Sequence, residues 1–286
     1  MNGADSSQSA IRNPRLLSAS LHLFGLSFRR QLFSRQTLLN FILTLVACLF
    51  VLAWTLARDP SVKRFTERML VPVFGSFLLP IYAICYAASS IGAEREERTL
   101  VYLFNTPLSR PVIYLTKYLA STTLVLGWTA CGLIALCLIY TPPVRESFRF
   151  LSARQLSEAS DALWGLEALR LFWPAVLLAA LAYASLFHTL GAIFRHGTII
   201  SLAYALFIEM LLSRMPGIAK RISVTYYYSC MIYGAGAEHD IKPRLRAELF
   251  LPISGDAATT ALAVASAGLL VLGIVIFTRR EYRDVS

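Results

Sequence analysis

Residues 94 to 98 read Glu94, Arg95, Glu96, Glu97 and Arg98, an unbroken charged run between two long apolar stretches. Read as a helix over 92 to 104, this segment places Glu94 and Arg98 at i, i+4, a spacing that stabilises by only about 0.2–0.5 kcal/mol. That is too little to account for the run. Beyond the charges, Leu100, Leu103 and Phe104 form an apolar edge, Pro107 ends the helix and Ser109 can cap the next one. A charged turn that merely fixes topology would not need such an edge. A short helix of this make-up is shaped to meet another protein.

The other residues with chemistry lie inside apolar surroundings. Glu209 falls within "SLAYALFIEMLLSRMPG", where a carboxylate costs several kcal/mol unless it is paired, protonated or hydrated. It reads either as a pathway or gating residue or as a structural partner, for Arg214 one turn on or for a polar group on a neighbouring helix. His188 reads as a hydrogen-bonded packing residue. An intramembrane hydrolase could assemble Ser185, His188 and Glu209 from different helices, but nothing in their spacing demands it. Lys117, near the start of an apolar run, can snorkel to the interface.

Several chemistries have no motif here. The string G-x-x-x-x-G-K-[ST] does not occur, so the chain is not expected to hydrolyse nucleotide itself. Neither H-E-x-x-H nor G-x-S-x-G is present. The five cysteines contain no C-x-x-C pair and read as small buried hydrophobes; no metal site and no cofactor is expected on this chain.

The elements that must position these residues are membrane helices. Of 286 residues, 56% are hydrophobic and 15% charged, and mean hydropathy is +0.58. Runs of roughly 17 to 25 apolar residues suffice to cross about 30 Å of hydrocarbon. Six such spans are expected, at 38 to 57, 69 to 91, 112 to 140, 171 to 194, 198 to 213 and 257 to 278. Backbone amides in lipid must be satisfied internally, so an all-α membrane protein follows. The net charge of +10 is spread over span ends, with Arg29, Arg30 and Arg35 before the first and Arg279, Arg280 and Arg283 after the last. Such cations anchor helices at an anionic lipid leaflet, and no nucleic acid is expected as a partner.

An even span count puts both termini on one side, and the flanking arginines favour the cytoplasm. Lys220, Arg221, Lys242, Arg244 and Arg246 weigh the other way. No signal peptide is expected, because the first apolar run starts late, and Leu45–Cys48 matches a lipoprotein box only by chance, inside a span.

Residues 1 to 15 form a polar tail expected to be disordered, and 16 to 286 form one membrane domain. Leu17, Leu21, Phe24, Phe28 and Leu32 recur at helical spacing and predict an amphipathic helix over 16 to 33, lying in the interface or packed on the bundle. The longer loops, 141 to 170 and 214 to 256, read as an amphipathic segment around Arg154 to Arg170 and as an interfacial or re-entrant element around Tyr226, Tyr227, Tyr228 and Tyr233.

The stretch "GAEREERTLVYLFNTPLSRPVIYLTKYLA" resembles the signature of type-2 ABC transporter permeases, at Glu94, Glu97, Thr99, Leu100, Thr106, Pro107, Leu108, Ser109, Arg110 and Lys117. Arg98 departs from the glycine common in the family before this threonine. "ALFIEMLLSRMPGIAKRISVTYY" is similar to the fifth span and following Pro-Gly of one branch, and "FTRREY" to a common family ending. The resemblance implies a permease subunit of an ATP-driven exporter in a bacterial inner membrane. Its coupling helix, which takes in Glu94, Glu97, Arg98, Thr99, Leu100, Leu103, Phe104, Pro107, Ser109 and Arg110, would meet a separate cytoplasmic ATPase that binds ATP and Mg. A second copy or a paralogue would complete a dimer. The alternative within the same resemblance is mechanotransmission to an extracytoplasmic partner without carried substrate.

Overall fold

The computed structural model describes residues 14–57, 62–96, 108–140, 165–215, 218–237, 241 and 253–279. Among these the regular structure is all helical. The N-terminal helix α1 (Pro14–Leu32) opens on a proline, whose missing N–H costs nothing in a first turn. It packs on the third expected span rather than standing apart in the interface. The chain then turns at Phe33 and Ser34, where the Ser34 and Thr37 hydroxyls both donate to the Gln31 carbonyl at 2.6 and 2.9 Å.

Among the described residues, five helices are long and apolar enough to cross a membrane: α2 (Arg35–Thr55), α3 (Thr66–Glu96), α4 (Arg110–Ile139), α5 (Ala168–Ile193) and α8 (Gly255–Arg279). The sixth expected span, over 198 to 213, is a shorter apolar helix, α6 (Gly197–Leu211). It combines 8 α-helical with 7 wider π-helical residues and falls short of the roughly 17 residues that a crossing needs. Its end is set by a 3₁₀ turn, Leu212–Arg214, after which the chain returns through Ala219–Ile222 into α7 (Val224–Ala235). The tyrosine-rich segment expected at an interface is thus a helix packed on α5, α8 and the first half of α3, with Tyr226 and Tyr228 buried.

Helices α3 and α5 form the buried centre, while α2 and α8 are largely bare outside. In lipid an exposed leucine costs nothing, so helices must be held by close packing and by hydrogen bonds. Both devices are visible. Along α5, Ala175, Ala179, Ala180, Ala182 and Ala184 are buried, and small side chains let neighbouring backbones approach. Along α2, Thr37 and Thr44 meet the hydroxyls of Tyr86 and Tyr82 on α3 at 2.9 and 2.6 Å, and Ser89 donates to Gln36 at 3.2 Å. The opposite face of α2, with Leu38, Phe41, Leu45 and Phe50, is exposed.

Most of α3 is wound as π-helix, over Thr66–Leu78 and again over Ile84–Ala88. The wider turn accommodates Pro72, which has no N–H to give, and the Ser76 hydroxyl donates to the Val71 carbonyl five residues back at 3.1 Å. Gly75 sits here against α7: a Cβ at this position would lie 2.0 Å from a ring carbon of Tyr228. Tyr228 is itself held by a bond from its hydroxyl to the Leu70 carbonyl at 3.2 Å. Gly75→Ala is therefore expected to destabilise by about 1–3 kcal/mol, as overpacking does. A lowered thermal midpoint in detergent, partly recovered by adding Tyr228→Leu, would show it.

Candidate functional site

The last turn of α3 carries the start of the charged run, and there successive residues lie about 100° apart on a helix of 3.6 residues per turn. Glu94, Arg95 and Glu96 consequently face three different neighbours. Glu94, 8% exposed, receives a bond from Lys117 of α4 and stands 3.8 Å from the Arg30 guanidinium of α1. The Lys117 ammonium also donates to the Ser90 carbonyl at 3.2 Å. Arg95, 4% exposed, donates to the Ala192 carbonyl at 3.2 Å, a favourable place for a cation because the carbonyls of a last helical turn lack intrahelical partners. Glu96 lies 3.5 Å from His196 in the turn between α5 and α6.

The return from residues 97–107 is anchored as well. Ser109 is exposed and directly precedes α4, its carbonyl accepting from the Ile113 amide at 3.1 Å, as expected of a cap residue. Arg110 donates to the Thr278 carbonyl at the end of α8, at 3.2 Å. One end of the bundle therefore gathers α1, the close of α3, the opening of α4, the close of α5 and the close of α8. The C-terminal turn of α1 and the end of α8 lie at that end.

Lys117 does not snorkel. It is 2% exposed and held by Glu94, because α1 covers the start of α4. Glu94, which the resemblance assigns to ATPase coupling, has its side chain turned into the bundle. Glu97, Arg98, Thr99, Leu100, Leu103, Phe104 and Pro107 lie outside the described residues. Arg30 and Arg95 were missed as members of the site. Neither had a local signal: Arg30 lies off the apolar stripe expected of α1, and the carbonyl partner of Arg95 is 97 residues away.

Glu209 is fully buried near the end of α6, where one oxygen accepts from the Val224 amide at 2.9 Å. The other accepts from the Thr225 amide at 2.9 Å and from the Tyr183 and Ser223 hydroxyls, both at 2.8 Å. Two of the four donors are first-turn amides of α7, so Glu209 helps to cap a helix that follows it by fifteen residues, beside the local cap Ser223, whose hydroxyl accepts from the Tyr226 amide at 3.3 Å. The Arg214 side chain lies outside what the structure describes. Of the two readings of Glu209, the geometry is that of the structural one, and four donors satisfy the carboxylate.

Ser185, His188 and Glu209 do not assemble. Ser185 bonds Tyr118 at 2.9 Å and the Leu181 carbonyl, His188 lies 3.3 Å from the Ala87 carbonyl and edge-on to Tyr114, and Glu209 is occupied as above. No nucleophile–base pair forms among them. Among the described residues there is also no cluster of three or more potential metal ligands.

A family model described as ABC-2 family transporter protein matches residues 5–282. No curated protein matches the sequence.

Proposed function

The chain belongs to the ABC-2 family of transporter proteins, as an integral membrane permease subunit of an ABC transporter, and from that premise we propose that it is driven through residues 97–107 by a separate ATPase. Permeases of this family work with ABC ATPase partners, generally as dimers. The sequence contains no nucleotide-binding P-loop, which fits a partner that holds ATP and Mg. The observation that carries the reading is the double anchoring of the 97–107 segment. Glu94, Arg95 and Glu96 tie its start to α1, α4, α5 and the α5–α6 turn, and Arg110 ties its end to α8.

A push on this segment is delivered to the bundle through those contacts, as a rigid-body switch between two states requires. Leu100, Leu103 and Phe104 supply the apolar contact edge. Glu94 acts behind it as a positioning residue. Both termini and the segment lie on the cytoplasmic side of a bacterial inner membrane, α7 lies toward the outer side, and transport runs outward.

Co-expression with a cognate ABC ATPase separates the two roles. Leu103→Asp is expected to release the ATPase during purification. Glu94→Gln should keep it bound yet lower permease-stimulated hydrolysis about tenfold, the effect of some 1.4 kcal/mol on a barrier. A Leu103→Asp chain that still retains the ATPase, together with a Glu94→Gln chain that stimulates normally, overturns the assignment.

A further inference from the structure

A cavity of about 160 Å³ opens where α1 crosses the ends of α3 and α4. It is far larger than the roughly 10–15 Å³ that a single water requires. Two cations, Arg30 and Lys117, line it together with one carboxylate, Glu94, which leaves a single positive charge. Lys117 is almost wholly buried, whereas the Arg30 side chain is more than half exposed.

Three polar atoms of the lining are buried and make no hydrogen bond, the Oε1 of Gln31, the hydroxyl of Ser90 and the Oε2 of Glu94, the last beside the Lys117 ammonium that its other oxygen meets. Ser90 is 4% exposed, so it cannot draw freely on bulk water. Buried polar atoms are almost always paired, and an orphan beside a cavity marks the place of something that fills it. Oε1 only accepts, so the occupant must bring a donor. The remaining wall is apolar, with Leu23 and the largely exposed Leu26 on α1.

We propose that this cavity binds the headgroup of a membrane lipid that carries one negative charge on a phosphodiester and hydroxyls beyond it. The phosphate meets Arg30, for which a planar guanidinium offers paired donors. A headgroup hydroxyl donates to Gln31, and Ser90 takes the second polar contact. Leu23 and Leu26 lie along the glycerol and the first acyl carbons. The site joins lipid to the pair Glu94–Lys117 and so to the root of the 97–107 segment. It rests on the membrane placement of the chain and not on ATPase docking.

The test is native mass spectrometry of the full chain released from nanodiscs holding equal phosphatidylglycerol and phosphatidylcholine. One phosphatidylglycerol is expected to be retained, about fivefold over phosphatidylcholine, the preference that one cation near a surface confers. Arg30→Gln should remove that preference and Arg30→Lys keep most of it. Gln31→Leu, which leaves both charges in place, should lower retention of phosphatidylglycerol relative to phosphatidic acid, whose headgroup has no hydroxyl beyond the phosphate. Equal retention of the two nanodisc lipids, or unchanged preference in Arg30→Gln, overturns the proposal. Displacement by millimolar inorganic phosphate or glycerol 3-phosphate would identify a free-anion site instead and also overturn it.

Discussion

Lys117→Met is expected to destabilise the chain by about 3–5 kcal/mol, because it leaves the Glu94 carboxylate buried beside α4 without its ammonium. Both partners are nearly inaccessible, and water that enters the adjoining cavity brings no positive charge to replace the lost cation. Arg30, at 3.8 Å and on the exposed side, offers only partial compensation. The midpoint of unfolding in a denaturing detergent titration should fall accordingly. Adding Glu94→Gln should recover much of the loss, since two neutral groups no longer carry an uncompensated charge. A single mutant with unchanged stability would mean that Lys117 reaches water after all, and a double mutant no better than the single would mean that packing rather than charge is at stake.

The second large effect is expected at Glu209. Glu209→Leu removes the acceptor of four donors at once, and a buried donor left unsatisfied costs about 1–3 kcal/mol. The Val224 and Thr225 amides of α7 would lose their acceptor while the Ser223 cap remained, Tyr183 on α5 would lose a partner, and the chain should fail to accumulate. Glu209→Gln keeps one acceptor oxygen but turns an NH₂ group toward donors, so folded protein should fall without vanishing. Transport-linked ATPase turnover per folded molecule should then match the wild type. A Gln variant that folds normally and turns over differently would restore the pathway reading of Glu209.

These two carboxylates show what could be read in advance and what could not. Four of the five long spans, and α1, were legible to within a few residues, because uninterrupted apolar runs and a 3.6-residue stripe are local properties of the chain. α3 was legible less sharply, since it runs five residues past the expected 91, to Glu96, into the charged run. α6 misled for the same local reason: an apolar run at 198 to 213 looks alike whether it crosses or stops, and what stops it is a carboxylate at its end that caps a helix still to come. Lys117 likewise carries no sign in its own surroundings of a partner on the preceding span. The charged run was legible as a place where the chain must do something. That its first residues turn inward was not, because their direction depends on how α3 is wound and on α1 lying across them.

The seam between α2 and α3 has a consequence of its own. Thr37 with Tyr86 and Thr44 with Tyr82 pair hydroxyl to hydroxyl, and in each pair either atom can be the donor. Such a contact has no polarity to violate. Either hydroxyl can turn its proton toward the other, so both pairs survive a reversal of donor and acceptor without losing a bond. Among the described residues the first span is thus joined to α3 by neutral contacts, of which only the Ser89–Gln36 bond has a fixed direction.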